Sequence, residues 1–205
     1  MTLLLGFLLG AALWTFGEYT IHRFAFHEAR GSNYGSKEHL RHHARRDYTL
    51  WNNWPAWLGV LAVGYLLWPW VFDDLLGLSR GTALAIGTGW SVAYFHYEWL
   101  HMACHLWAPR TVYGRWVRRN HFHHHFGEPL RNHGVSSPVW DLAFGTHTPV
   151  ERVVVPRKMA MRWLLDADGE VKAEHRDDYE LRGRSTVLDD DEVERAFRNE
   201  APLAV

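Results

Sequence analysis

Residues 54–72 run for nineteen positions without a charge, from Trp54 up to the acid pair Asp73-Asp74. A helix needs roughly 20 mostly apolar residues to cross a bilayer, so this run ties the chain to lipid more firmly than any other stretch. Two shorter runs are similar in character. Residues 3–17 are uncharged and continue as helix through Glu18-Tyr19-Thr20-Ile21 to His22, while residues 82–97 are interrupted by His96 alone. Pro55 and Pro69 lie near the ends of the middle run, where a missing N–H costs least. Trp51, Trp54 and Trp57 flank one end and Trp68 and Trp70 the other, as an aromatic belt at the lipid–water boundary would place them. The first run lacks a basic stretch ahead of it and a small-residue cleavage site behind it, so it reads as a retained span and not as a leader. The expectation is three spans, at about 3–21, 54–72 and 82–97.

Three crossings put 22–53 and 96–205 on one side and leave the N-terminus and the turn 73–81 on the other. The first of these stretches carries Arg23, Arg30, Lys37, Arg41, Arg45 and Arg46, and the second opens with Arg110, Arg115, Arg118, Arg119 and Arg131. The far turn offers Arg80 against two Asp. The excess of Lys and Arg marks the shared side as cytoplasmic. Of fifteen His, fourteen fall within 22–147, and so on that face. The predicted fold is an all-α integral-membrane bundle with a cytoplasmic helical cap that carries these histidines.

The chain divides near Thr148-Pro149. Residues 1–150 hold twelve Lys and Arg against nine Asp and Glu, and 151–205 hold ten against fourteen. A domain of 1–148 followed by a small, charged cytoplasmic tail of 149–205 is therefore expected, with a short strand at Val153-Val154-Val155 and a short helix at 189–199. A net charge of −1 gives no basic footprint for nucleic acid. The single cysteine, Cys104, excludes a disulfide framework, a four-cysteine zinc site and a cysteine-ligated iron–sulfur cluster.

Histidine is the commonest metal-ligand side chain, and its spacing here is regular. His22 and His27 form His-x4-His; His39, His42 and His43 form His-x2-His-His; His101 and His105 form His-x3-His; His121, His124 and His125 repeat His-x2-His-His. Residues three and four apart share a helix face, so each triplet lays its imidazoles along one stripe. Two groups come from each cytoplasmic segment, and folding can close all four around one centre. Ten imidazoles exceed what one metal can use. Two octahedral metals need about twelve ligands, which leaves about two places for water, a bridging oxygen species or substrate. Imidazole alone suits iron, zinc, copper and nickel equally.

Other residues are weaker candidates. His123 points away from His121 and His125 on a helix, and His175 is expected to be solvated. His133 and His147 read as outer partners or as structural. His96 also forms His-x4-His with His101, but residues four apart share a face better than five, which favours the pair His101 and His105. Glu18, Glu28, Glu98 and Asp141 lie close to the histidines or the closing segment, where a carboxylate accepting a ligand N–H would fix its tautomer. Trp14, Trp90 and Tyr94 read as core aromatics before they read as an acyl tunnel.

The order His-x4-His, His-x2-His-His, His-x3-His, His-x2-His-His resembles the membrane fatty acid hydroxylase and sterol desaturase superfamily. Tyr97-Glu98-Trp99-Leu100-His101 ahead of His105 is similar to that family's third motif. Asn132-His133-Gly134-Val135-Ser136-Ser137-Pro138-Val139-Trp140-Asp141, running on to Gly145-Thr146, is similar to the segment that closes its catalytic domain. The resemblance covers about residues 15–148. It implies two iron ions, with zinc able to replace them during preparation, and O2 as co-substrate for hydroxylation or desaturation of a lipid C–H bond. The ten motif histidines would be the ligands, with His96, His133, Glu98 and Asp141 as additional or outer partners. Three spans depart from the four of many members, and the tail has no counterpart.

Oxygen insertion consumes two external electrons. The chain has no dinucleotide-binding glycine fingerprint, since Gly6, Gly10 and Gly17 lie inside a span. A separate donor of ferredoxin, cytochrome or flavin reductase type is therefore expected. The arginines of 41–46 and 115–119 reflect positive-inside topology first, and a dock for an acidic carrier second. Rival readings are a carotenoid ring hydroxylase of the same chemistry, a sterol-type oxidase or desaturase, and a histidine-rich membrane metal-binding or transport protein. A transporter would place ligands near mid-membrane, whereas these histidines follow the spans. A b-type cytochrome would need axial histidines deep between spans, and His96 alone is near one.

Overall fold

The computed structural model describes residues 2–45 and 53–183; the helix expected at 189–199 lies outside the described residues. The chain is mostly helical with little strand, as predicted. It forms two compact units, one of Met1–Tyr19 with Thr49–Trp99, the other of Thr20–Tyr48 with Leu100–Val205.

The first unit is built from α1 (Leu3–Thr20), α3 (Trp54–Ala62) and most of α4 (Arg80–Leu106). Pro55 sits in the first turn of α3, where its missing N–H is already an orphan. Around Pro69 the helix loosens into π-helical turns, Val63–Leu67 and Trp70–Leu75, which absorb the hydrogen bond that a proline removes. Trp54–Leu75 thus continues as one helical stretch of 22 residues. By length and composition, that stretch and Leu3–Glu28 can each cross a membrane. α4 is longer, but its Gly, Thr, Ser, Trp and Tyr keep it less apolar, so the run 82–97 does not pass the same test.

α4 packs against both neighbours through glycine. A Cβ on Gly89 would lie 1.9 Å from the Phe7 carbonyl oxygen of α1, and one on Gly87 would lie 1.8 Å from that of Gly64. Backbones this close exclude any side chain, the small-residue packing that serves helices in lipid. Aromatic rings fill what remains. Trp14 meets Trp90 and Tyr94 edge-on at 5.1 and 4.9 Å, and Trp68 meets Trp90 at 5.4 Å. The Trp90 indole N–H donates to the Val60 carbonyl at 3.2 Å. These rings are core and tightly packed. The outward surface carries Leu4, Leu8, Leu58 and Leu66, the last 71% exposed, a density of exposed apolar groups that suits lipid and not water.

The second unit contains α2 (Tyr34–Ala44), α5 (Val112–Phe126), α6 (Val139–Ala143) and the end of α4. Side-chain oxygens cap two helix starts: Asn33 accepts from the Ser36 N–H at 2.8 Å, and Thr111 from the Gly114 N–H at 2.9 Å. β1 (Val153–Pro156) and β2 (Tyr179–Arg182) pair in parallel, Val153 opposite Tyr179, so the short strand expected at 153–155 is present.

Beyond 148 the described chain packs as core and does not hang as a solvated appendage. Val155, Met161, Leu164 and Tyr179 are buried, and the Trp163 N–H donates to the Cys104 carbonyl at 2.9 Å. His175, expected in solvent, is buried beside Trp163 at 5.2 Å between ring centres. Its charged neighbours mask a run of apolar residues too irregularly spaced to register as a helix or strand stripe. The arginines of α5 are engaged here too. Asp178 accepts from Arg115 at 2.7 Å and Arg119 at 3.2 Å, while buried Arg118 donates to the carbonyls of Ala103, Trp107 and Gly114. Asp178 thus offsets part of the positive charge of this stretch.

Candidate metal centre

Four helical pieces of the second unit deliver the histidines. The first piece needs a distortion. His22 and His27 are five apart, which an α-helix would turn to different faces. Ile21–Glu28 is π-helical instead, and its i→i+5 hydrogen bonds bring residues five apart into line. α2, α5 and the end of α4 supply the rest by ordinary helical spacing.

The ten imidazoles form two groups of five. His22, His27, His39, His43 and His124 make the first, and His42, His101, His105, His121 and His125 the second; within each, one nitrogen per ring lies within 4.8 Å of all the others. The triplets divide between the groups. Residues four apart diverge by about 40° around a helix, and residues three apart by about 60° in the opposite sense. So His39 and His43 go to the first group and His42 to the second, whereas His121 and His125 go to the second and His124 to the first. α2 and α5 exchange one ligand each. One helix thus supplies rings to both groups, a split that follows from these two offsets once the stripe is read as two rows.

The nitrogens face one another closely. Nε2···Nε2 distances are 3.1 Å for His22–His39, 3.0 Å for His27–His124, 2.9 Å for His42–His101 and 2.9 Å for His105–His121. Two adjacent ligands at 2.0–2.1 Å from a shared ion, at right angles, would lie about 3 Å apart. Tautomers point the same way. His22 Nδ1 lies 2.5 Å from the His133 carbonyl and His124 Nδ1 lies 2.8 Å from the Arg131 carbonyl. A carbonyl accepts only, so both rings carry their proton on Nδ1 and turn a bare lone pair inward. Burial, and then neighbouring imidazoles, hold His39, His43, His121, His124 and His125 well below the ordinary histidine range, and burial brings His42 down to about 4. Neutral rings with converging lone pairs fit a cation and fit little else.

The other candidates fall elsewhere. His96 is exposed and stacks on Trp99, 6.1 Å between centres, outside both groups. His123 lies 3.6 Å from Glu128 and outside both groups. Glu28 pairs with Arg23 at 2.9 Å. Glu98 is buried in the first unit, where the Asn53 side-chain amide donates to it. His133 is buried beside the first group, its ring 5.6 Å from those of His22 and His124. Asp141 is buried and touches no ligand directly. It accepts from the backbone N–H groups of His133 at 2.9 Å and Gly134 at 2.7 Å and from the Thr146 hydroxyl at 2.7 Å, with His133 Nδ1 at 3.4 Å. These bonds outweigh the opposing effect of its burial and keep its carboxyl below the usual range. The carbonyls of Arg131 and His133 are functional groups that residue-type reasoning passes over, because every residue carries one.

The chain is similar to known proteins. A profile of the fatty acid hydroxylase family matches residues 7–146. A dihydroceramide fatty acyl 2-hydroxylase of Arabidopsis thaliana is 28% identical over 139 residues, 67% of this chain and 58% of the relative. The human fatty acid 2-hydroxylase is 31% identical over 153 residues, 70% of this chain and 39% of the relative. The solved hydroxylase domain of full-length scs7p superposes with a TM-score of 0.54 at 25% identity, covering 73% of this chain and 58% of that one. The chain spans little more than half the length of the plant relative and less than half that of the human one. A family match across well over half the sequence, with two histidine pentads at its centre, places the chain in the fatty acid hydroxylase family.

Proposed function

We propose that the chain is an integral-membrane lipid hydroxylase whose two histidine groups hold two iron ions. The observation that carries this reading is the convergence of ten neutral imidazoles into two sets with facing nitrogens about 3 Å apart. Bound there, the iron pair would supply O2 activation and oxidation of an unactivated C–H bond.

The residues set the conditions for that chemistry. Imidazole ligands bring no negative charge, so the ions keep their full charge, unlike those in carboxylate-rich soluble di-iron bundles. Five rings per group would hold each ion and leave coordination capacity for O2. Relatives named for 2-hydroxylation of fatty acyl groups favour an acyl chain as substrate, with carbon 2 as the position attacked. Electrons come from a separate donor. The apolar runs support spans at about 3–21 and 54–72, we add a third at 82–97, and the excess of Lys and Arg beside the histidines favours a cytoplasmic histidine face. On this reading 1–148 is the catalytic domain, extended by the packed segment after it.

The test is oxidation of membrane lipid under labelled O2, with purified protein and an added reductase system. The expected product carries one labelled oxygen on the acyl chain, and the protein carries two iron ions. Label appearing in water alone, with a new double bond, would make the enzyme a desaturase. No lipid oxidation in a protein loaded with two ions would reject the activity.

A further inference from the structure

We propose that the closing segment 131–148 is a positioning device for the first histidine group alone, fastened by Asp141 and Asn132. This rests on the reading that the groups bind metal.

The carbonyls that face His22 and His124 belong to alternate residues of one short loop, His133 and Arg131. A carbonyl orients a ring only if its own peptide is fixed, and this loop is fixed from both sides. Asp141 gathers the N–H groups of His133 and Gly134 on its two oxygens, and the Thr146 hydroxyl braces the first of them. Asn132 donates to the Thr148 carbonyl at 2.9 Å and accepts from the Thr148 N–H at 2.8 Å. It does so at φ +55°, a left-handed conformation that asparagine tolerates better than most residues. At Gly134 a Cβ would lie 2.1 Å from the Ser137 carbonyl oxygen, so the loop closes back too tightly for a side chain. α6 turns Leu142 and, just beyond its end, Phe144 outward while Asp141 points in; the acid is what this turn contributes to the interior.

α5 provides the contrast within one helix. His124, the ligand that crosses to the first group, has a carbonyl behind it. Among the described residues His121 and His125 have no hydrogen-bond partner at Nδ1. Outer partners of this kind fix the tautomer and raise ligand basicity, and their loss costs about 10–100-fold in metal affinity. Asp141 and Asn132 act through two backbone carbonyls, and the carboxylate itself never reaches the ion.

The experiment is competitive Zn(II) titration of the full chain in two backgrounds. His125→Ala leaves the first group whole, and His27→Ala leaves the second. Adding Asp141→Ala is expected to weaken zinc binding by about 10–100-fold in the His125→Ala background and to leave it unchanged in the His27→Ala background. Asn132→Ala should shift affinity in the same selective way. Equal weakening in both backgrounds, or in neither, overturns the proposal. If Asp141→Ala fails to fold, Thr146→Val withdraws one hydrogen bond from the carboxylate and should give a smaller loss with the same selectivity. Zinc binding in neither parent background would bring down the metal reading itself, and the positioning role with it.

Discussion

The two units solve burial in opposite ways. The first buries glycine backbones and aromatic rings against one another and presents leucine outward. The Trp90 N–H is met inside the same unit by the Val60 carbonyl. The second gathers ten imidazoles with facing nitrogens, eight buried and His42 and His43 half-buried, an arrangement that favours a cation among them. One interior is held by backbone and ring packing; the other brings together side chains able to hold a cation. The first should therefore ignore metal, and the second should depend on it.

The largest effect is expected at the ligands. His42→Ala and His124→Ala remove one ring from each group, and each should reduce the metal from two ions per chain and abolish lipid oxidation. His123→Ala, outside both groups, should retain both. Metal analysis beside an activity assay reads the outcome, and two ions retained in His124→Ala would break the assignment of that ring.

A bulky residue at a helix contact tests the other side of the comparison. Gly87→Val places a side chain where the Gly64 carbonyl already lies, and overpacking of this kind costs at least about 1–3 kcal/mol. Thermal unfolding should fall accordingly, while surviving folded protein keeps its full metal content. Metal loss in proportion to the destabilisation would show that the two interiors are not separable.

Chelation reverses the experiment. An ion present at 100 times its Kd contributes about 2.7 kcal/mol, equivalent to about 5–10 °C in Tm for a chain of this size. Stripping it should lower the melting of the second unit, read by hydrogen exchange in α5, and spare α1 and α3. Acid does the same more gradually. In metal-free protein burial holds His42 at about 4 against 6.5 unfolded. The unfolded chain binds protons that the folded one refuses, so stability is full above about 6.5 and is lost as pH falls toward 4. Melts of chelated protein at descending pH should track that window, and a flat profile would contradict it.

The smallest effect is expected at the pairing of Asp178 with Arg115 and Arg119. Asp178 is buried, but Arg115 is half-exposed and Arg119 partly so, and solvent at the arginine end holds such a pairing to about 1 kcal/mol. Asp178→Asn should shift Tm by no more than a few degrees and leave metal content unchanged.

Much of this was legible in the sequence, and the exceptions share a cause. Uncharged runs and histidine spacings are local properties; they pointed to helices and to ten histidines brought together, and the structure has both. The distribution of ligands is not local. Spacing parts His42 from His43, but that His42 joins His101 while His43 joins His124 depends on which helices meet in the fold. His22 and His27 face one way through a π-helical turn that a uniform helical wheel cannot anticipate. Asp141 was read as a partner for a ligand ring; its contacts are two backbone N–H groups, the Thr146 hydroxyl and the ring of His133. His175 was assigned to water on the charge of its neighbours, and Trp163 and Tyr179 enclose it.

Cys104, the one cysteine of the chain, lies fully buried on α4 beneath Trp163, and burial pushes its thiol up to about 12. A thiol so far from ionisation is a poor nucleophile and a poor target for maleimides or peroxide. The native sequence is therefore already a silent background for chemical labelling. A cysteine placed at Asp74 or at Val154 can be probed from either side of a sealed vesicle without first removing another, so the membrane orientation of this protein can be mapped one site at a time.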